Sequence, residues 1–163
     1  MKLILTVQAL KQGVMMVGWR CIMSGSMLIP SLRYKDAHAA IEWLERVLGF
    51  ERQAVYEGPD ETVAHAQLTF GKTGMLMLGS STNPGPNKEM YALPEEIGGR
   101  VTSPLYLVVK DCAPLWKRVK AEKAEVVMEQ REMEYGGKAF SVRDPEGYLW
   151  SVGEYDPWAF AKA

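Results

Sequence analysis

Ser31-Leu32-Arg33-Tyr34-Lys35-Asp36 opens a helical stretch, Asp36 to Leu48. About 75 positions on, Leu105-Tyr106-Leu107-Val108-Val109-Lys110-Asp111 opens another, Asp111 to Lys123. Gly74-Met75-Leu76-Met77-Leu78 is likewise answered by Gly147-Tyr148-Leu149-Trp150-Ser151, offset by 73. A repeat on this scale means two copies of one strand–helix–strands unit, neither able to bury its apolar face alone. Two sheets that face each other leave a shared cleft, so a pocket is the first place to look for function.

Each copy reads in the same order. Leu28 to Lys35 is a strand, with Pro30 near its start, where a missing donor matters least. Asp36 caps a helix whose Ala40, Ile41, Leu44, Val47 and Leu48 form one stripe, and Gly49 ends it. Phe50 to Glu57, Thr62 to Phe70 and Met75 to Gly79 follow as strands. In the second copy Pro104 to Lys110 is a strand. Asp111 to Lys123 is a helix that tolerates Pro114 in its first turn. Glu125 to Glu132, Lys138 to Arg143 and Tyr148 to Tyr155 are the closing strands. The modules therefore span 28–80 and 104–158, joined by a link, 81–103, with a helical turn at Leu93 to Ile97. A connection this long is either a lid or exchange point, or a solvated linker. Residues 1–27 read as a leader or a non-native extension, with an apolar run too soon interrupted by Gln8, Lys11 and Gln12 for a signal peptide.

Composition narrows the class. The chain has 163 residues, 47% of them apolar, with a formal net charge of -1. That suffices for a real core and offers no electrostatic footprint for nucleic acid. No run is long enough to span a bilayer. Cys21 and Cys112 are far apart and read as ordinary thiols in a reducing cytoplasm.

Three features together resemble the vicinal oxygen chelate superfamily of glyoxalases, extradiol dioxygenases and bleomycin-resistance proteins. They are the doubled β-α-β-β-β order, Ala40-Ile41-Glu42-Trp43-Leu44 before Gly49-Phe50, and the closing Tyr135-Gly136-Gly137 and Phe140-Ser141-Val142-Arg143-Asp144-Pro145-Glu146-Gly147-Tyr148-Leu149-Trp150. The resemblance runs from about Leu28 to Trp158 and is nearest the glyoxalase-like branch. It implies an α+β fold of two βαβββ modules forming a curved mixed sheet around a shared cavity. It also implies metal ligands at four equivalent positions in the metal-dependent members. Here those positions hold Ile29, Leu78, Pro104 and Ser151, which cannot supply the three or four N or O donors that a divalent ion needs. No cofactor is expected. A relocated divalent metal held by His65 and Glu154 is the alternative, in a lyase, isomerase or dioxygenase.

Strand alternation suggests what lines the cleft. Ser31 and Arg33 share the face of Ile29, and Tyr106 shares that of Pro104. His65, Gln67 and Thr69 form the polar face of their strand, and the 73-residue offset maps it onto Lys138, Phe140 and Val142. Ser31, Arg33, His65, Gln67, Thr69, Tyr106, Lys138 and Ser151, with Leu78 and Phe140 as apolar walls, are thus the candidate ligand-binding set. His65 and Tyr106 are the candidates for acid–base catalysis. An inward Arg33 calls for an anionic ligand or an internal partner such as Glu57, because an unpaired buried cation is costly. The resulting expectation is metal-independent binding of a small aromatic or anionic organic ligand, in a homodimer.

Overall fold

The computed structural model describes residues 25–83 and 88–160; the expectations for the leader, its last three residues aside, for Cys21 and for 84–87 fall outside them. β1 (Ser31–Tyr34) leads into α1 (Ala37–Trp43), which continues as a π-helical turn, Leu44–Leu48. The Ala39 N–H donates to Asp36 Oδ1 at 2.9 Å, so Asp36 is the cap its position promised. Gly49 closes the helix with φ 76°, a left-handed conformation that costs a β-carbon-bearing residue about 1–2 kcal/mol. β2 (Glu51–Glu57), β3 (Val63–Phe70) and β4 (Gly74–Ser80) complete the first module. The second consists of β5 (Leu105–Val108), α2 (Ala113–Ala121), β6 (Glu125–Glu132), β7 (Lys138–Arg143) and β8 (Leu149–Gly153). In the link, the expected helical turn is a 3-10 turn at Pro94–Ile97.

The sheets repeat one topology, β1-β4-β3-β2 and β5-β8-β7-β6, and remain two separate four-stranded sheets. β1 runs parallel to β4, and β5 to β8; the other pairings are antiparallel. The fold is the α+β pair of βαβββ modules. Pro30 still contributes to the sheet through its carbonyl, which accepts from Met77 N at 3.0 Å. No helix among the described residues is long and apolar enough to cross a membrane.

The core lies on the helix-bearing faces and runs unbroken from one module to the other. Ala37, Ala40, Ile41, Leu44, Val47 and Leu48 bury the expected stripe. Leu68, Leu76 and Leu78 oppose it, and Phe140, Val142, Trp150 and Val152 continue the core in the second sheet. Each Val, Leu, Ile or Phe side chain among them contributes about 1.5–3 kcal/mol by leaving water. Phe50 meets Trp150 edge-on at 5.6 Å across the seam.

Polar contacts hold the seam in register. The loop after β7 carries Asp144, 4% exposed, whose Oδ2 accepts from Tyr34 Oη at 2.8 Å and Trp150 Nε1 at 3.0 Å. Its Oδ1 accepts from the backbone N–H groups of Tyr148 and Glu146. Burial raises the Asp144 carboxyl above its ordinary pKa, against these four donors. Two residues on, the Glu146 carboxylate accepts from the N–H groups of Lys35 and Asp36, at 2.7 and 2.8 Å. Tyr148 Oη donates to Arg33 O at 2.8 Å. One turn of the second module is thereby tied to the β1–α1 junction of the first.

The pairing also corrects the repeat ruler. Ser31, Met77 and Gln67 lie in one row of the first sheet, and Tyr106, Ser151 and Ser141 in one row of the second. The offset is thus 75 at the first strand but 74 at the third and fourth, not 73. With a side-chain period of two, a one-residue error exchanges the faces of a strand.

Candidate functional site

The open faces of the sheets, opposite the helices, receive most of the anticipated residues. Ser31 and Arg33 lie there from β1, and His65, Gln67 and Thr69 from β3, with Met75 and Met77 between them. Gln67 Nε2 donates to His65 Nε2 at 3.2 Å, and the Tyr56 ring stacks on the imidazole, centroids 6.0 Å apart. On the second sheet Tyr106 and Ser151 share this face, and Ser151 Oγ is 2.9 Å from Ser141 Oγ. Burial, with Tyr135 nearby, pushes the Tyr106 phenol above its ordinary pKa. Near neutrality it is therefore a donor rather than a base.

Three placements differ from expectation. Leu78 and Phe140, proposed as cavity walls, lie on the helix-bearing faces at 2% and 0% exposure. Lys138 shares strand parity with Phe140 and is exposed, its ammonium 3.9 Å from Glu132. All three follow from the ruler: the true equivalents of Gln67 and Met77 are Ser141 and Ser151. Glu57, offered as an internal partner for Arg33, lies instead 3.2 Å from His38.

The two modules use one device to lay a long side chain across the open face. Gly79 and Gly153 are equivalent at the 74-residue offset. A β-carbon at Gly79 would lie 2.6 Å from Arg33 Nη1, and one at Gly153 would collide with the Tyr106 hydroxyl. Glycine at each position leaves the bed in which Arg33 or Tyr106 rests. The Tyr106 hydroxyl donates to Tyr155 O at 3.5 Å.

Two cavities of about 340 Å³ each flank the seam between modules. The first lies among β1, the link and Tyr148, and holds Ser31, Arg33, Tyr91 and Arg100. The Arg33 guanidinium lies 5.4 Å from the centre of the Tyr91 ring, a cation–π contact. Arg100 Nε donates to Ile97 O at 3.1 Å. Neither guanidinium has a carboxylate within ion-pair range among the described residues. The second cavity lies between the β3–β4 turn and β5, and takes in Tyr106, Phe50, Phe70 and Trp150. Sequence reasoning found Ser31, Arg33 and Tyr106 but missed Tyr91, Arg100 and Tyr148. The length of the link was the one signal for the first two.

The donor set does not fit a divalent ion at the positions the resemblance singled out. Ile29 and Pro104 offer no side-chain donor, Ser151 is bonded to Ser141, and at the corrected register Leu78 gives way to Met77. The alternative pair is otherwise engaged. His65 is bonded to Gln67, and Glu154 accepts from the backbone N–H groups of Cys112 at 3.0 Å and Lys138 at 2.9 Å. Those bonds hold its pKa below the usual carboxylate value. Among the described residues no three His, Cys, Asp or Glu side chains gather closely enough for an ion.

Comparison with known proteins agrees with this architecture. Residues 26–152 match the model of the glyoxalase/bleomycin resistance protein/dioxygenase superfamily. No curated protein matches the chain significantly. The solved structure of TioX from Micromonospora sp. ML1 is 27% identical, with 81% of this chain and 100% of that one covered and a TM-score of 0.64. A glyoxalase I mutant from Zea mays is 21% identical, with a TM-score of 0.61; 81% of this chain covers 46% of that one. A glyoxylase/bleomycin resistance protein/dioxygenase domain from Frankia sp. EAN1pec is 16% identical, covering 80% and 91% at a TM-score of 0.57. The last two likenesses speak for the fold alone.

Proposed function

The chain belongs to the glyoxalase/bleomycin resistance protein/dioxygenase superfamily, and from that premise we propose that it binds a small organic anion with an aromatic or apolar body, without a metal. The observation that carries this reading is the pair of guanidiniums, Arg33 and Arg100, in one cavity of about 340 Å³, neither with a carboxylate in ion-pair range among the described residues. The volume suits a metabolite-sized ligand, and a few polar groups among apolar walls are the usual composition of such a site. Arginine presents a planar fork of donors that matches a carboxylate or phosphate. Tyr91 and Tyr148 add aromatic surface to the lining. Ser31 adds a hydroxyl.

A homodimer is part of the proposal. Tyr56, Tyr106 and Val108 are 58%, 42% and 42% exposed on the open faces, and a second copy would cover them. Light scattering reads the state directly.

Calorimetric titration with benzoate and phenyl phosphate tests the ligand reading in the wild type, Arg33→Ala and Arg100→Ala. A charge-assisted bond is worth about 1.5–3 kcal/mol, so each variant is expected to lose roughly ten- to a hundredfold in affinity. Affinity unchanged in both variants, or no binding by the wild type, refutes the proposal.

A further inference from the structure

The anion-binding reading is the starting point here; the second cavity extends it to the shape of the ligand. Pro30 and Leu105 line both cavities, so these two apolar residues border each of them. Neither residue is fully buried. The second hollow is as large as the first and differs in chemistry. Phe50, Phe70 and Trp150 form its apolar wall, with ring centroids 5.2 and 5.6 Å apart, and Leu107 adds to it. Its Lys72 and Thr73 sit on the exposed β3–β4 turn, at the end of the hollow. A cationic compartment and an aromatic one therefore meet at two shared lining residues.

We infer that the ligand is an elongated amphipathic anion, an acyl or arylalkyl carboxylate. Its head lies at Arg33 and Arg100, and its body crosses Pro30 and Leu105 into the hollow under Phe50, Phe70 and Trp150. A compact anion such as benzoate fills only the first compartment. A longer one also removes apolar surface from water in the second, and each methylene buried there improves affinity about fourfold.

The test is a series of straight-chain carboxylates from acetate to dodecanoate, titrated calorimetrically beside benzoate. The expected result is affinity that keeps rising about fourfold per methylene beyond the chain length that fills the first compartment. Met75→Trp, at a residue that lines the second cavity and not the first, is expected to halt that rise while benzoate binds as before. A bromine at the far end of dodecanoate reports independently on the same path. It is expected to quench the emission of Trp150, with the quenching lost in Trp150→Phe. The inference is overturned if affinity levels off at short chains while benzoate still binds in an Arg33-dependent way, or if the brominated acid binds without quenching. Failure of benzoate itself to bind sinks the anion reading instead, so the two failures are distinguishable.

Discussion

The seam between modules rests on a carboxylate whose worth can be isolated with a double-mutant cycle at Tyr34 and Asp144. Tyr34 is 0% and Asp144 4% exposed, and 2.8 Å separates the hydroxyl from Oδ2. A hydrogen bond to a charged acceptor contributes about 1.5–3 kcal/mol. Tyr34→Phe removes that bond and leaves Asp144 with three donors. Asp144→Ala strands the Tyr34 hydroxyl and the Trp150 indole N–H in the core, about 1–3 kcal/mol each. It also removes the cost of keeping a carboxylate out of water, which the raised pKa of Asp144 signals. That relief is present with or without the Tyr34 hydroxyl, so it cancels from the cycle. Once Asp144 is gone, Tyr34→Phe deletes only a stranded hydroxyl and is expected to be neutral or stabilising. The expected coupling is about 1.5–3 kcal/mol. Urea unfolding followed by tryptophan emission measures it. With a slope of about 2 kcal/mol per molar urea, the coupling corresponds to about 1 M in midpoint. Additivity to within about 0.5 kcal/mol would refute the reasoning, because it would mean that the carboxylate and the phenol do not stabilise each other.

Other consequences are simpler to read. Glu146→Gln leaves one carbonyl oxygen for two backbone donors at Lys35 and Asp36, and is expected to cost about 1 kcal/mol in the same urea assay. Gly79→Ala places a methyl group 2.6 Å from Arg33 Nη1 and 3.0 Å from Ala64 O. The flexible guanidinium yields first, so benzoate affinity is expected to drop about tenfold while stability falls by about 1 kcal/mol. Burial above all pushes the Cys112 thiol from 9.0 up to about 11. The folded thiol keeps its proton where the unfolded one loses it, so its contribution is complete below pH 9 and declines as pH rises towards 11. Cys112→Ala is therefore expected to show a shallower alkaline loss of urea stability than the wild type.

Much of this fold was legible without coordinates. Asp36 before an apolar stripe, Gly49 after it and the turn at Asp144-Pro145-Glu146-Gly147 are local signals, and each marks the boundary where it was expected. The faces of β1 and β3 were also legible, because alternation carries Ser31, Arg33, His65, Gln67 and Thr69 together. The failures at Leu78, Phe140 and Lys138 share one cause. A strand repeats every second residue, and matching Gly74 to Gly147 put the second module one position out of step. Tyr91 and Arg100 gave no periodic signal, since a link has no face until its path is known.

What the amino-acid order alone determined is the inventory: two βαβββ units, their caps and turns, and an arginine on an open strand face. These depend on interactions between residues close in the chain, which survive any arrangement of the modules. Tertiary structure decided how the units meet. It drew Asp144 and Glu146 onto the first module, and folded the link so that Arg100 joined Arg33 in one cavity. It also set a cationic hollow beside an aromatic one. Such pairings bring together residues some 65 to 110 positions apart, and only the packing of one apolar core across both modules selects them.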